Sequence, residues 1–166
     1  GMTNYEYACI NDNYGNDFDP EVIKVANIDI EVGSEDGFPD PELANQPVTA
    51  ITVSCRGRYF VFGVGEFNNT RSDVSYVDCR GERRLLDTFL SFWERIDPDI
   101  VTGWNVDGFD IPYLINRISK IIHPKEAKRL SPARWIKERE FKGNFGKVTK
   151  EYTLVGLTVL DYLQLY

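Results

Sequence analysis

Residues 24–32, Lys24-Val25-Ala26-Asn27-Ile28-Asp29-Ile30-Glu31-Val32, decide the fold. Ala26, Ile28, Ile30 and Val32 alternate with Asn27, Asp29 and Glu31, the period of a half-buried β-strand with one apolar and one polar face. Asp29 and Glu31 are two residues apart, so both side chains leave the same face, with Cα atoms about 6.5–7 Å apart. Paired carboxylates repel each other and are tolerated where they point into water or share a cation. Read alone, Asp-x-Glu on a strand fits a solvated strand face and a metal site alike.

The flanking segments place this strand in a sheet. A loop over 33–47 carries Gly37-Phe38-Pro39-Asp40-Pro41. Strands are predicted at 48–55 and 59–64, joined by Arg56-Gly57-Arg58 as an antiparallel hairpin. Residues 82–96 read as a helix with Leu85, Leu86, Phe89, Trp93 and Ile96 on one stripe, ended by Asp97-Pro98. Residues 100–103 form a short buried strand, and a second helix starts near Asp110, where Pro112 is tolerated in the first turn. A β-hairpin insertion over 135–155 closes through Gly143-Asn144-Phe145-Gly146, and the run to Leu160 supplies a last strand. Residues 1–22, polar and turn-rich, predict an irregular arm ahead of one domain over 23–166. The order predicts an α/β fold. Its mixed sheet has three antiparallel strands continued by parallel strands through helical crossovers, with helices flanking it.

A second carboxylate feature, Trp104-Asn105-Val106-Asp107-Gly108-Phe109-Asp110, lies where the short strand ends and the second helix begins. In open α/β sheets that strand end is where ligands bind. Asp107 or Asp110 would serve equally well as a helix cap, satisfying free N–H groups. If the two strands are neighbours, however, three carboxylates converge at one sheet edge. Oxygen ligands with no His or Cys among them suit Mg²⁺ or Mn²⁺. Two such ions about 3.5–4 Å apart support phosphodiester hydrolysis.

Composition narrows the alternatives. The 166 residues suffice for one domain with a core, and no apolar run approaches the ~18 residues of a membrane helix. No signal-peptide pattern opens the chain, and an odd number of widely spaced cysteines fits a reducing, intracellular setting. Three cysteines with no Cys-x-x-Cys argue against a disulfide scaffold or a cysteine zinc site. A single histidine, His123, and no Gly-x-Ser-x-Gly leave a serine hydrolase unsupported. The net charge of −7 is unevenly placed: residues 1–42 carry −10 and residues 125–150 carry +6. Such asymmetry fits two electrostatic roles in one domain, or two runs that simply face solvent.

Residues 26–32 and Gly103-Trp104-Asn105-Val106-Asp107-Gly108-Phe109-Asp110-Ile111-Pro112-Tyr113 closely resemble the first and second exonuclease motifs of family B DNA polymerases, nearest the T-even-type bacteriophage branch. Gly37-Phe38-Pro39-Asp40-Pro41, Ala127-Lys128-Arg129-Leu130-Ser131-Pro132 and Val159-Leu160-Asp161-Tyr162 resemble that branch too, while the stretch around 65–80 is shorter than expected for it. The resemblance implies a ribonuclease H-like fold and 3′→5′ proofreading of single-stranded DNA at a primer terminus. It implies Asp29, Glu31 and Asp110 as catalytic metal ligands for Mg²⁺ or Mn²⁺, and Asn105 and Phe109 near the terminal nucleotide. Phe38 becomes a stacking platform for unpaired bases, or else a cover over the core. The 135–155 hairpin resembles the element that helps separate primer from template, with Lys137, Arg139, Lys142 and Lys147 as DNA contacts. The remainder of a polymerase chain, and a sliding clamp acting through it, would be partners, and the setting would be a host cytoplasm.

The family's third motif, Tyr-x-x-x-Asp, occurs nowhere in the 166 residues. Asp161 stands in a different context and is not counted as a ligand. Gly1-Met2 reads as an addition ahead of a start methionine, and the chain stops at Tyr166 within the apolar run 154–166. The expectation is a piece of a longer protein with little nuclease activity alone. It would also have exposed apolar surface over 154–166. A stand-alone DNA or RNA exonuclease, and a non-catalytic nucleic-acid-binding module on a nuclease fold, are the alternatives.

Overall fold

The computed structural model describes residues 5–13, 19–35, 37–142 and 148–165. A six-stranded sheet forms its centre: β1 (Val25–Val32), β2 (Val48–Cys55), β3 (Arg58–Gly63), β4 (Val74–Asp78), β5 (Ile100–Gly103) and β8 (Thr158–Asp161). The strand order is β4-β3-β2-β1-β5-β8. β1 to β3 form an antiparallel meander, and β5 and β8 continue the sheet in parallel from β1. The β2–β3 turn is tight because Arg56 and Gly57 both take positive φ, 49° and 72°, which matches the twist of the strands it joins.

Each apolar stripe read from the sequence faces the core. Ala26, Ile28 and Ile30 are buried, whereas Asp29 and Glu31 are exposed on the opposite face. Helix α2 (Glu82–Ile96) packs over β3, with Phe92 lying 4.6 Å from Phe60 and 5.2 Å from Phe62 between ring centroids. Helix α3 (Ile111–Ile121) lies beside it, joined by a buried bidentate pair. Arg117 Nε and Nη2 donate to the two Glu82 carboxylate oxygens at 2.6 and 2.7 Å. Short helical turns at α4 (Pro124–Ala127) and Lys128–Leu130 lead to the hairpin β6 (Ile136–Lys142) and β7 (Val148–Leu154), a separate two-stranded sheet.

The structure differs from the sequence reading at three places. Residues Tyr5–Asn13 form a helix, α1, where an irregular arm was expected, because polar residues without an apolar stripe can still follow helical geometry. β4 is an additional strand, parallel to β3. Its five residues lack a clear alternation, and its role as an edge strand depends on pairing with β3. The run 154–166 is divided: Leu154 and Leu157 are buried, and Leu160, Tyr162 and Leu163 are exposed. The expected turn Gly143-Asn144-Phe145-Gly146 lies outside the described residues. No helix among the described residues is long and apolar enough to cross a membrane.

Candidate functional site

The site is built where β5 ends beside β1. The ladder between them pairs Val25, Ala26 and Asn27 with Ile100, Val101 and Thr102. At Gly103 the backbones are so close that a Cβ would stand 2.6 Å from the Ile28 carbonyl oxygen, so only glycine fits. The chain then leaves the sheet through Asn105, at φ 56°, a left-handed conformation that asparagine tolerates. A single π-helical turn over Val106–Asp110 follows and runs into α3.

That turn delivers Asp110 to the edge of β1, past the end of the β5 ladder. Its carboxylate accepts the Ile30 backbone N–H at 3.0 Å, a donor that β5 does not reach. Asp110 makes no helix-capping bond, so the capping role that the sequence left open for it is not the one it plays. It is only 4% exposed. Burial pushes its carboxyl up to about 7, opposed by the Ile30 N–H and reinforced by the negative charge of Asp29. Asp29 and Asp110 therefore interact across the strand end, with Glu31 exposed on the same face as Asp29. Among the described residues, no three Asp, Glu, His or Cys side chains gather tightly enough to hold a metal ion. The donor set nevertheless fits a hard divalent cation. It is all oxygen, and the desolvated Asp110 beside a like charge is the arrangement that a cation relieves.

Asp161, at the end of β8, holds the turn in place. Its Oδ1 accepts the N–H groups of Asn105 at 2.8 Å and Leu163 at 2.9 Å, and its Oδ2 accepts that of Asp107 at 3.0 Å. With three backbone donors it acts as a latch on the loop. Its position at a strand end is visible in the sequence; its partners, 54 and 56 residues away, are not. Asp107 is partly buried, and burial together with Glu151 and Asp161 raises its pKa above the usual carboxylate range.

Asn105 and Phe38 border one groove of about 620 Å³, together with Gly108, Pro112 and Glu151. Phe38 is 88% exposed, so it does not cover the core. Its ring lies 5.8 Å from Phe109, which lies 5.5 Å from Tyr113, making an aromatic row from solvent into the protein. The basic run is partly structural. Arg129 pairs with Glu94 at 2.6 Å and Glu126 at 3.2 Å, Arg134 pairs with Glu94, and Lys150 pairs with Glu138. Lys137 and Arg139 are exposed on β6, the Lys137 ammonium 5.0 Å from the Trp135 ring centroid. Lys142 ends β6, and Lys147 lies outside the described residues.

Residues 2–166 match the family model for the exonuclease domain of family B DNA polymerases. The chain is 36% identical over 195 aligned residues to the DNA-directed DNA polymerase of Escherichia phage RB69 and 35% over 198 to that of Enterobacteria phage T4. All of the chain is covered in both alignments, and it spans 22% of the length of each relative. Among solved structures, the family B DNA polymerase of the hyperthermophilic archaeon Pyrobaculum calidifontis superposes with a TM-score of 0.58 at 28% identity. That match covers 85% of this chain and 15% of the other.

Proposed function

This chain belongs to the exonuclease-domain family of family B DNA polymerases, and from that premise we propose that it is the 3′→5′ proofreading part of a DNA-directed DNA polymerase acting in viral DNA replication inside a host cell. One observation carries the reading: the Asp110 carboxylate is held at the Ile30 N–H, on the strand that presents Asp29 and Glu31. Asp29, Glu31 and Asp110 would hold two Mg²⁺ or Mn²⁺ ions. When bound, these supply an activated water and charge stabilisation at the leaving oxygen.

The protein's own groups bind and orient the strand. The exposed face of Phe38 stacks the terminal base without regard to its identity, as editing any mismatch requires. Asn105, fixed through its backbone to Asp161, points the turn at the groove where the terminal nucleotide sits. Lys137 and Arg139 supply positive charge on the hairpin beside the strand's path. The Asp-rich end needs cations before phosphate can approach. The remaining polymerase, and a sliding clamp acting through it, are the proposed partners.

The family's Tyr-x-x-x-Asp motif is absent from the 166 residues, so hydrolysis by this chain alone is expected to be slow. The test compares this chain with a longer one carrying that motif, each with 3′-labelled single-stranded DNA and Mn²⁺. Stepwise release of 3′-nucleotides by the longer chain, lost in Asp29→Ala, is the expected result. In the short chain, weak Mn²⁺ binding that Asp29→Ala abolishes should remain. Equal rates from the two chains, or Mn²⁺ binding indifferent to Asp29→Ala, would overturn the assignment.

A further inference from the structure

The Phe38 loop and the β6–β7 hairpin are distant in sequence, yet one side chain of α3 holds both. Asn116 Nδ2 donates to the Pro41 carbonyl oxygen at 2.9 Å, and its Oδ1 accepts the Tyr152 hydroxyl at 3.2 Å. A carbonyl only accepts, so the first bond sets the orientation of the amide and the second uses its remaining oxygen. A second tie runs parallel to it, from the Lys150 backbone N–H to Glu42 Oε1 at 3.2 Å.

The rest of the loop is strung along the same helix. Tyr113 donates its hydroxyl to the Gln46 carbonyl at 2.7 Å and accepts the Gln46 N–H at 3.1 Å. Arg117 Nη1 donates to the Ala44 and Asn45 carbonyls, each at 2.9 Å, and Lys120 Nζ donates to that of Leu43 at 2.9 Å. Residues 113, 116, 117 and 120 share one helical face, so a single rigid stripe grips the backbone of 41–46. The helix itself begins one residue after Asp110. One element therefore registers both the carboxylates and the loop bearing Phe38.

We propose that Asn116 is a positioning residue that couples the β6–β7 hairpin to the Phe38 loop, so that a strand engaging the hairpin sets the aromatic face on which the terminal base stacks. The proposal rests on the reading of this groove as a single-stranded DNA site. The coupling is a property of the protein, however, and is measured without DNA.

Two substitutions cut the two arms separately. Asn116→Asp cannot donate to Pro41 but still accepts from Tyr152, and Tyr152→Phe leaves the Pro41 bond intact. Amide hydrogen exchange at Ala44, bonded to the Asp40 carbonyl within the loop, and at Gln46, bonded to the Tyr113 hydroxyl, reports on the loop. Tyr152→Phe, which does not touch the loop, should speed exchange there about three- to tenfold, the range for one lost hydrogen bond. The double variant should be no faster than Asn116→Asp alone. Loop exchange unchanged in Tyr152→Phe, or additive in the double variant, would overturn the coupling. If Asn116→Asp fails to fold, Glu42→Ala cuts the second tie instead, and combined with Tyr152→Phe it should speed loop exchange beyond either single variant; a combination no faster than Glu42→Ala alone would overturn the coupling. A single-stranded oligonucleotide with a fluorescent 3′-terminal base supplies the functional arm. Tyr152→Phe should weaken base stacking in the otherwise unaltered protein and have no effect in a Phe38→Ala background. Stacking that Tyr152→Phe leaves intact refutes the positioning role. Failure of the unsubstituted chain to bind the oligonucleotide instead refutes the DNA-site reading and leaves the exchange result to decide the coupling.

Discussion

At Asp110 two demands meet: the carboxylate holds the Ile30 N–H, and it does so almost fully buried beside the charge of Asp29. Its carboxyl lies near 7 in the folded chain against 3.8 as the ordinary value, so the folded state holds the proton more tightly than the unfolded one. The stabilisation this gives is full below about pH 4 and is lost as pH rises through 7, with a slope approaching about 1.4 kcal/mol per pH unit. Asp110→Asn keeps an oxygen for Ile30 and carries no charge. In EDTA, denaturation across this range should find the variant equal to the unsubstituted protein at low pH and more stable at about pH 8. A constant difference across the range would show that Asp110 is not the titrating group. The identities of Asp29, Glu31 and Asp110 were legible in the sequence. That Asp110 reaches across to β1 rather than capping its own helix was not, because both roles use the same residue at the same place in the chain. Phe38 is a similar case: a loop phenylalanine reads as platform or cover until its exposure is known.

Helix α3 shows the same division among elements. The spacing of Tyr113, Ile115, Ile118 and Ile122 predicts its apolar side; the first three are buried and Ile122 is partly buried. Its polar stripe reads as a solvated face, yet Arg117 is buried in a bidentate pair with Glu82 and holds two loop carbonyls. Nothing in local periodicity distinguishes an arginine in water from one facing a partner 35 residues away. Arg117→Met should cost about 3 kcal/mol, because it strands a buried carboxylate and unties the loop. Thermal denaturation should show a fall in Tm of roughly 10 °C for a chain of this size. Adding Glu82→Met should recover only part of that loss, since Glu82 also accepts the Val48 N–H at 2.7 Å. A Tm within about a degree of the unsubstituted value would place the pair among those that contribute little. α1 and β4 escaped the sequence reading for the reasons their residues give: one has no apolar stripe, and the other is a short strand whose edge position depends on β3.

Across the whole molecule, the two charge runs are placed differently. The acidic run contains Asp29 and Glu31, while part of the basic run is consumed by Glu94, Glu126 and Glu138. Lys137 and Arg139 remain exposed, and replacing both with alanine should lower the salt dependence of single-stranded DNA binding by about 1.4 in log–log slope, roughly 0.7 per lost phosphate contact. Fluorescence anisotropy across a salt series measures it; an unchanged slope would remove the hairpin from the strand's path. The sequence by itself determined the alternating strand, the two helical stripes, the sheet's mixed character and the places of the acids Asp29, Glu31 and Asp110 along the chain. These follow from periodicity and residue type, which are local. Only the tertiary structure decided which polar groups meet: Asp110 with Ile30, Asp161 with the turn at 105–107, Asn116 with both the loop and the hairpin. A hydrogen bond has direction and short range, so its partner is chosen by where the folded backbone places a donor, and no spacing along the chain encodes that.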